Sequence, residues 1–305
     1  MRFHNRGMAA AAIGLGTLCL SVPALAFKPT YCPGHDPRSN PRDVMMLVGS
    51  TCVDKYEASV WTGPRGAGTQ YPQGATAPGM RFPATFPENG NWTEPLYATS
   101  MPDVGPSTFI TWFQAQQACG LAGKRLLTNA EWQMAAAGTP DPGAKGHPSQ
   151  SCTTNYPNPV PTGTSVGCES RWGVSDMVGN VEEWVADWIQ GQGVNDHAIV
   201  NVWNPAAFTQ TLPAYGDDDV SGINDAYYDN SPQTGGPATI GVNALPGAIV
   251  RSGHWLSGSG GGVFQLDATR DPGSLNNAIG FRCGKNAPYV APRPERDPPR
   301  PGEER

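Results

Sequence analysis

After its first 26 residues the chain has no apolar run long enough to cross a membrane, because a transmembrane helix needs about 20 apolar residues. The apolar run at 8–22 is shorter, follows Arg2 and Arg6, and precedes Ala-Leu-Ala at 24–26. This layout is typical of a signal peptide with a small-residue cleavage site. We therefore predict a signal peptide over 1–26 and an exported protein, periplasmic or extracellular, without a membrane span.

Charged residues are scarce, at 15% of the 305 residues. The formal net charge of −6 becomes −8 once the two leader arginines are removed. This balance disfavours nucleic acid and anionic lipid as partners, since both require clustered basic surface. The 38 glycines and 31 prolines favour a loop-rich fold over a helical bundle.

The chain also lacks Cys-x-x-Cys, so a zinc or redox motif is not expected. Six cysteines follow the leader, and in an oxidising compartment an even number favours disulfides, with 15 possible pairings. We favour Cys152 with Cys168, which would staple a long polar loop. Cys32 with Cys52 is the nearest remaining pair in sequence, although this assignment stays open. Cys119 would then pair with Cys283.

Hydrophobic patterning divides the remaining chain into a lead-in at 27–45, a domain at 46–285 and a tail at 286–305. Apolar and alternating residues around Met46 and Cys52 predict strands. Helical spacing predicts a helix over 112–122, and a capping-box pattern that begins at Thr128 predicts a second helix. The proline-rich and arginine-rich tail is predicted to be disordered or polyproline.

Four landmarks in order resemble the sulfatase-modifying-factor domain of formylglycine-generating enzymes. They are Lys55-Tyr-Glu57, the segment from Thr111-Trp112 to Glu131-Trp132, Asp176-Met-Val-Gly-Asn-Val-Glu-Glu-Trp184, and Arg251 through Gly280-Phe-Arg-Cys283. The resemblance covers most of the chain after the leader. It implies an α+β, loop-rich fold, a variant of the C-type lectin fold, with short strands and two main helices.

The residues that carry the family's oxidase chemistry differ here. Ser257 and Gly262 stand where the resemblance places the copper-binding cysteine pair, and neither supplies the soft thiolate that Cu(I) requires. Glu182, His254 and Ala278 replace a tryptophan, a serine and an asparagine of the family pattern. We therefore expect no copper and no formylglycine synthesis.

The same resemblance implies a structural calcium ion. Asp176 and Glu183 would supply side-chain oxygens, and Gly179 and Val181 would supply backbone carbonyls. From the residues alone, the alternative is that Asp176 caps a helix and that Glu183 is solvated.

A second acidic segment matches part of a calcium-hand loop, with ligand positions at Asp217, Asp219, Ser221 and Asp225. Tyr228 replaces the bidentate glutamate at the twelfth position of such a loop. A solvated acidic loop is therefore the favoured interpretation.

Three functions remain open. The first is a non-catalytic binding module that presents the surface 252–277 to a protein or glycan ligand. Its candidate contacts are rigid aromatic and adaptable polar side chains, namely Trp255, Ser257, Ser259, Phe264, Gln265, Asp267, Arg270, Asn276 and Asn277. The second is a periplasmic oxidoreductase of cysteine-independent chemistry, as in siderophore-maturation members of the family, with Asp267 or Glu182 as the working acid. The third is a structural subunit of an extracellular assembly.

Overall fold

The computed structural model describes residues 28–71, 82–141, 151–189, 220–221, 247–270 and 272–288. The predicted signal peptide and most of the predicted tail lie outside these ranges. Two α-helices and three β-sheets make up the described part, which confirms the predicted α+β class. Neither helix is long and apolar enough to cross a membrane.

The first sheet joins the beginning of the domain to its end. Its strands are β1 (Met45–Val48), β2 (Thr51–Asp54), β12 (Cys283–Asn286) and β6 (Arg125–Leu126), in that order. All three pairings are antiparallel. The last strand thus lies between β2 and β6, so this sheet closes only when the whole domain is present.

The second sheet carries the segments that the sequence analysis singled out. Its order is β11 (Ile279–Phe281), β7 (Glu182–Ile189), β9 (Gly247–Arg251), β10 (Leu266–Arg270) and β8 (Val220–Ser221). β7 pairs with β11 in parallel and with β9 antiparallel. A third, antiparallel sheet has the order β4 (Ala67–Tyr71), β3 (Ala58–Gly63) and β5 (Tyr97–Ser100).

Both predicted helices are present, and both begin with a capping box. In α1 (Trp112–Leu121) the Thr111 side chain accepts a hydrogen bond from the backbone N–H of Gln114, whose side chain bonds back. In α2 (Asn129–Ala136) Thr128 and Glu131 make the same reciprocal pair. Each box satisfies backbone donors that a helix start leaves unpaired, which is why the pattern at Thr128 predicted this start correctly.

Two main apolar clusters form the core. One packs α1 against Trp184 and Val250 of the second sheet, and the other packs α2 against Val185 and Ile249. One face of β7 and β9 therefore packs against α1, and the opposite face packs against α2. This follows from the alternation of side chains along a strand.

The described structure contains the three disulfides that the sequence analysis favoured, Cys32–Cys52, Cys119–Cys283 and Cys152–Cys168. The first ties the lead-in to β2, and the second ties α1 to β12. The third closes the polar loop before the 176–183 segment. All three fit an oxidising, exported environment.

Candidate functional site

The neighbouring strands β7, β9 and β10 bring the candidate residues together at one end of the second sheet. Arg251, the last residue of β9, lies opposite Glu183 of β7 and opposite Leu266 of β10. The chain leaves β9 there and forms the loop 252–265 before it enters β10. We call the surface formed by residues 252–265 and 272–278 the loop face.

Three charged side chains gather beside the loop face. The Arg270 guanidinium lies 2.8 Å from Asp267 Oδ2 and 3.6 Å from Glu182 Oε2. Glu182 is buried, and its Oε2 atom has no hydrogen-bond partner. Burial, opposed by the positive charge of Arg270 and aided by the negative charge of Asp267, raises the pKa of Glu182 to about 7. Such a carboxyl group exchanges a proton near neutral pH.

His254 is half-buried next to this charged group. Its ring meets the Trp255 ring edge-on at a centroid distance of 5.1 Å. Burial, together with the positive charge of Arg270, lowers the pKa of His254. The imidazole is therefore held in its neutral form beside the guanidinium.

Ser257 and Gly262, at the positions of the family's cysteine pair, have structural contacts in this loop. The Ser257 hydroxyl accepts a hydrogen bond of 2.9 Å from the backbone N–H of His254. The Gly262 carbonyl accepts one of 3.1 Å from Gln265. Gly253 has a φ of +79°, and a Cβ added there would lie 2.6 Å from the Cα of Gly261. The loop is thus closely packed, with no thiol at either position.

Two predicted surface residues are buried instead. Trp255 is 6% exposed, because its backbone bonds Asn180 and Tyr156 and holds the residue inward. Gln265 is 5% exposed, and its side-chain oxygen accepts a hydrogen bond from the backbone N–H of Gly253. The expectation that these two side chains lie exposed is wrong, since the loop needs them for its own structure.

The exposed part of the loop face consists of other residues. Phe264 is 38% exposed, as the sequence analysis expected, and Leu256 is 62% exposed. Leu256 was missed, because a single leucine beside a tryptophan gives no sequence signal of exposure. Asn277 is exposed, whereas the Asn276 side chain accepts a hydrogen bond from Ala278 and shapes the 272–278 turn.

Glu183 of the predicted calcium loop is fully buried and carries several hydrogen bonds. The Arg282 guanidinium donates to both carboxylate oxygens, at 2.6 to 2.9 Å. The indole N–H of Trp132 donates to Oε2 at 2.8 Å. Because Glu183 lies buried in β7, the alternative of a helix start with a solvated Glu183 is wrong.

Asp176 and Glu57 complete this buried cluster. Asp176 Oδ2 accepts a hydrogen bond of 2.6 Å from Gly163, whereas Oδ1 is buried without a partner. Glu57 bonds Asn180 and the backbone N–H of Val181. Burial raises the pKa of Asp176 to about 6, and burial together with Asp176 and Glu183 raises the pKa of Glu57. Glu57 had a signal in the Lys-Tyr-Glu landmark, but no role had been assigned to it.

The fit of this cluster to calcium is incomplete. Asp176 offers one free oxygen, while both oxygens of Glu183 are bonded to protein donors and the Gly179 carbonyl accepts the Ser252 hydroxyl at 3.2 Å. Among the described residues, no group of three His, Cys, Asp or Glu side chains is arranged to hold a metal ion. Calcium therefore stays a prediction.

Most of the second acidic segment lies outside the part of the chain that the structure describes. Asp217, Asp219 and Asp225 lie outside the described residues. Ser221 lies in the short strand β8, which pairs in parallel with β10.

The sulfatase-modifying factor enzyme 1-like domain matches residues 84–287, more than half of the chain. The chain belongs to this family. The sulfatase-modifying-factor domain therefore contains the second sheet, both helices and the entire loop face. The matched range also includes Ser257 and Gly262.

Two curated relatives illustrate the range of proteins with a similar segment. Serine/threonine-protein kinase pkn1 of Chlamydia pneumoniae is 31% identical over 197 residues, which are 63% of this chain and 25% of that protein. Hercynine oxygenase of Mycolicibacterium smegmatis is 28% identical over 141 residues, 43% of this chain and 32% of the oxygenase. The sulfatase-modifying-factor chain thus spans about a third or less of these relatives.

Solved structures with a similar fold include two kinds of protein. The Major Tropism Determinant U1 variant aligns with a TM-score of 0.46 and 18% identity over 86% of this chain and 55% of that chain. PvdO from Pseudomonas aeruginosa aligns with a TM-score of 0.38 and 18% identity over 83% of this chain and 87% of that chain.

Proposed function

We propose that this protein is an exported, non-catalytic binding module, in which the loop face recognises a protein or glycan ligand. The observation that carries the proposal is the contrast between a rigid loop and its exposed apolar side chains. Trp255, Gln265 and Ser257 are engaged in holding the loop, while Leu256 and Phe264 remain exposed. Apolar side chains held on a rigid surface favour recognition, because little conformational entropy is lost on binding.

Polar groups next to these residues would supply specificity. Asn277 is exposed, and Arg270 is partly exposed between two carboxylates. The disulfide Cys152–Cys168 supports the neighbouring segment, in which the Thr154 carbonyl accepts a hydrogen bond of 2.7 Å from Gly258. The loop face thus has apolar and polar contacts on a fixed base, as a binding surface requires.

The experiment is a binding screen of the mature protein against glycan and peptide arrays and whole cells. A ligand found there should be lost when Leu256→Glu or Phe264→Glu places a charge on the loop face. Met134→Glu is the matched control, because Met134 is an exposed apolar residue on α2. The absence of any saturable ligand, or equal binding by all three variants, would contradict the proposal.

The alternative function is an enzyme of cysteine-independent chemistry, and Glu182 favours it. A buried carboxyl group with an unbonded oxygen beside Arg270 is typical of an acid that transfers a proton during a reaction. In an activity screen, turnover should disappear in Glu182→Gln and persist in Glu94→Gln, which alters an exposed glutamate. Turnover that survives Glu182→Gln would remove this alternative.

The third candidate, an assembly subunit, predicts that the protein copurifies with stoichiometric partners.

A further inference from the structure

A cavity of about 390 Å³ lies apart from the charged group at Glu182, between residues 82–89, the start of α1 and the 272–278 turn. Phe82, Phe86, Phe109 and Leu275 supply its apolar lining, of which Phe82 and Phe86 are 8% and 1% exposed, and Asn89, Gln114 and the acidic Glu88 supply its polar lining. Its volume falls within the range of about 300 to 1,000 Å³ that small-molecule sites occupy.

Phe109 lines this cavity in an unfavourable backbone conformation. Its φ is +52°, in the left-handed region that bulky L-residues rarely adopt. Neighbouring contacts hold it there: the Phe109 N–H donates to the Asn276 carbonyl at 2.9 Å, and the Ile110 carbonyl accepts from the Trp184 indole at 3.0 Å. Strain of this kind persists where the surroundings enforce it and concentrates at functional sites.

The aromatic side of the cavity is preformed. The Phe82 and Phe86 rings lie 5.9 Å apart at an angle of 49°. Gln114 is fixed at the start of α1, where its side-chain oxygen accepts from Thr111 and its nitrogen donates to the Phe86 carbonyl at 2.7 Å. The hydrogen-bonding groups of Gln114 are thus satisfied by the protein, so a ligand would be recognised mainly by ring contacts.

We propose that this cavity binds a small, uncharged aromatic molecule of one or two rings. Phe109 and Leu275, which are partly exposed, supply the main ring and apolar contacts, and the preformed wall limits the entropy lost on binding. Glu88 also lines the cavity and disfavours an anionic ligand. The cavity shares the 272–278 turn with the loop face through Leu275, but Leu256 and Phe264 do not line it, so the proposal does not depend on the function proposed above.

The test uses indole as the probe, with the full mature protein, isothermal titration calorimetry and saturation-transfer NMR. Wild-type protein should bind indole saturably at one site. Leu275→Trp fills the cavity and should weaken binding by at least about tenfold. Val166→Trp adds the same side chain at an exposed position that does not line the cavity and should retain the wild-type affinity.

Phe109→Gly tests whether the Phe109 ring contributes to indole binding in a protein that remains folded. Glycine adopts positive φ without strain, which offsets part of the packing lost with the ring. This variant should therefore remain folded at the assay temperature while binding indole at least about tenfold more weakly. Indole-3-acetate should bind more weakly than indole, because its carboxylate would lose hydration and meet the acidic Glu88, which lines the cavity. The proposal is overturned if folded wild-type protein shows no saturable indole binding, if Leu275→Trp and Phe109→Gly bind as wild type does, or if indole-3-acetate binds as tightly as indole.

Discussion

At the scale of single residues, Glu131 connects three parts of the fold. It accepts two hydrogen bonds of 2.7 Å from Arg125, one of 3.0 Å from Thr51, and a backbone bond from Thr128 at the start of α2. These contacts, the Arg125 bonds foremost, lower the pKa of Glu131 to about 2. The carboxylate form therefore helps to hold α2 against β2 and β6.

Glu131→Gln should reveal this contribution as a pH-dependent loss of stability. The folded pKa is lower than the ordinary value of 4.5, so the stabilisation is complete above about pH 5 and is lost as the pH falls towards about 2. We expect the variant to be less stable by about 1 kcal/mol at neutral pH, a value kept small because the Arg125–Glu131 ion pair is partly exposed to solvent. Urea unfolding across this pH range measures the difference, which should shrink on acidification.

Glu94→Gln is the matched control for Glu131→Gln, because Glu94 is exposed. It should change stability by less than about 0.5 kcal/mol at any pH. A loss for Glu131→Gln that stays constant down to about pH 2 would show that the carboxylate charge is not involved.

Single residues are also where prediction from the sequence was weakest. The 252–277 segment was identified as a surface, yet Trp255 and Gln265 are buried and Leu256 is exposed. Exposure within a glycine-rich loop depends on which backbone groups it bonds across space, such as Asn180 for Trp255. Those partners are about 75 residues away in sequence, so local patterning cannot indicate them.

At the scale of elements, the 176–183 segment joins the third disulfide loop to β7. Three carboxylates, those of Glu57, Asp176 and Glu183, share this region with the single guanidinium of Arg282. Fully ionised, the cluster would carry a net charge of −2, and Asp176 Oδ1 has no hydrogen-bond donor. A divalent cation would compensate that charge, whereas proton uptake is the other means of compensation.

We expect calcium to raise the melting temperature relative to EDTA, and Asp176→Asn to abolish that rise. Asp103→Asn is a closely matched control, because Asp103 also has a positive φ, +59° against +57° for Asp176, but is exposed. Asparagine tolerates this conformation, so neither substitution should strain the backbone. If melting curves in calcium and EDTA coincide for wild-type protein, the predicted calcium site is absent.

Elements were predicted well where a local rule applied. The capping box at Thr128 and the helical spacing after Thr111 gave both helix starts correctly. β7 was harder, because Glu182 and Glu183 at its start are typical of a helix or a solvated loop. Glu183 lies in a buried strand only because Arg282, 99 residues later, neutralises it.

At the scale of the whole molecule, the disulfide Cys119–Cys283 joins the middle of the chain to its last strand. It spans 164 residues, whereas Cys152–Cys168 spans 16. The first sheet also joins distant parts of the chain, because its last strand, β12, pairs with both β2 and β6. Cys119 with Cys283 was predicted only as the pair that remained once two nearer pairs were assigned. The sheet order was not predicted, since no local signal brings a C-terminal strand between two earlier ones.

Removing these two disulfides separately should destabilise the protein to different extents. A disulfide restricts the unfolded chain more when it closes a longer loop, so the alanine pair at 119 and 283 should cost about 2 kcal/mol more than the pair at 152 and 168. Both Cys119 and Cys283 are also fully buried in the main core, and the space left there adds to the loss. Guanidinium unfolding of the two double variants measures the difference. Equal losses of stability would mean that the unfolded chain is already compact enough to keep the α1 segment near the β12 segment. The Cys119–Cys283 disulfide would then contribute mainly through packing.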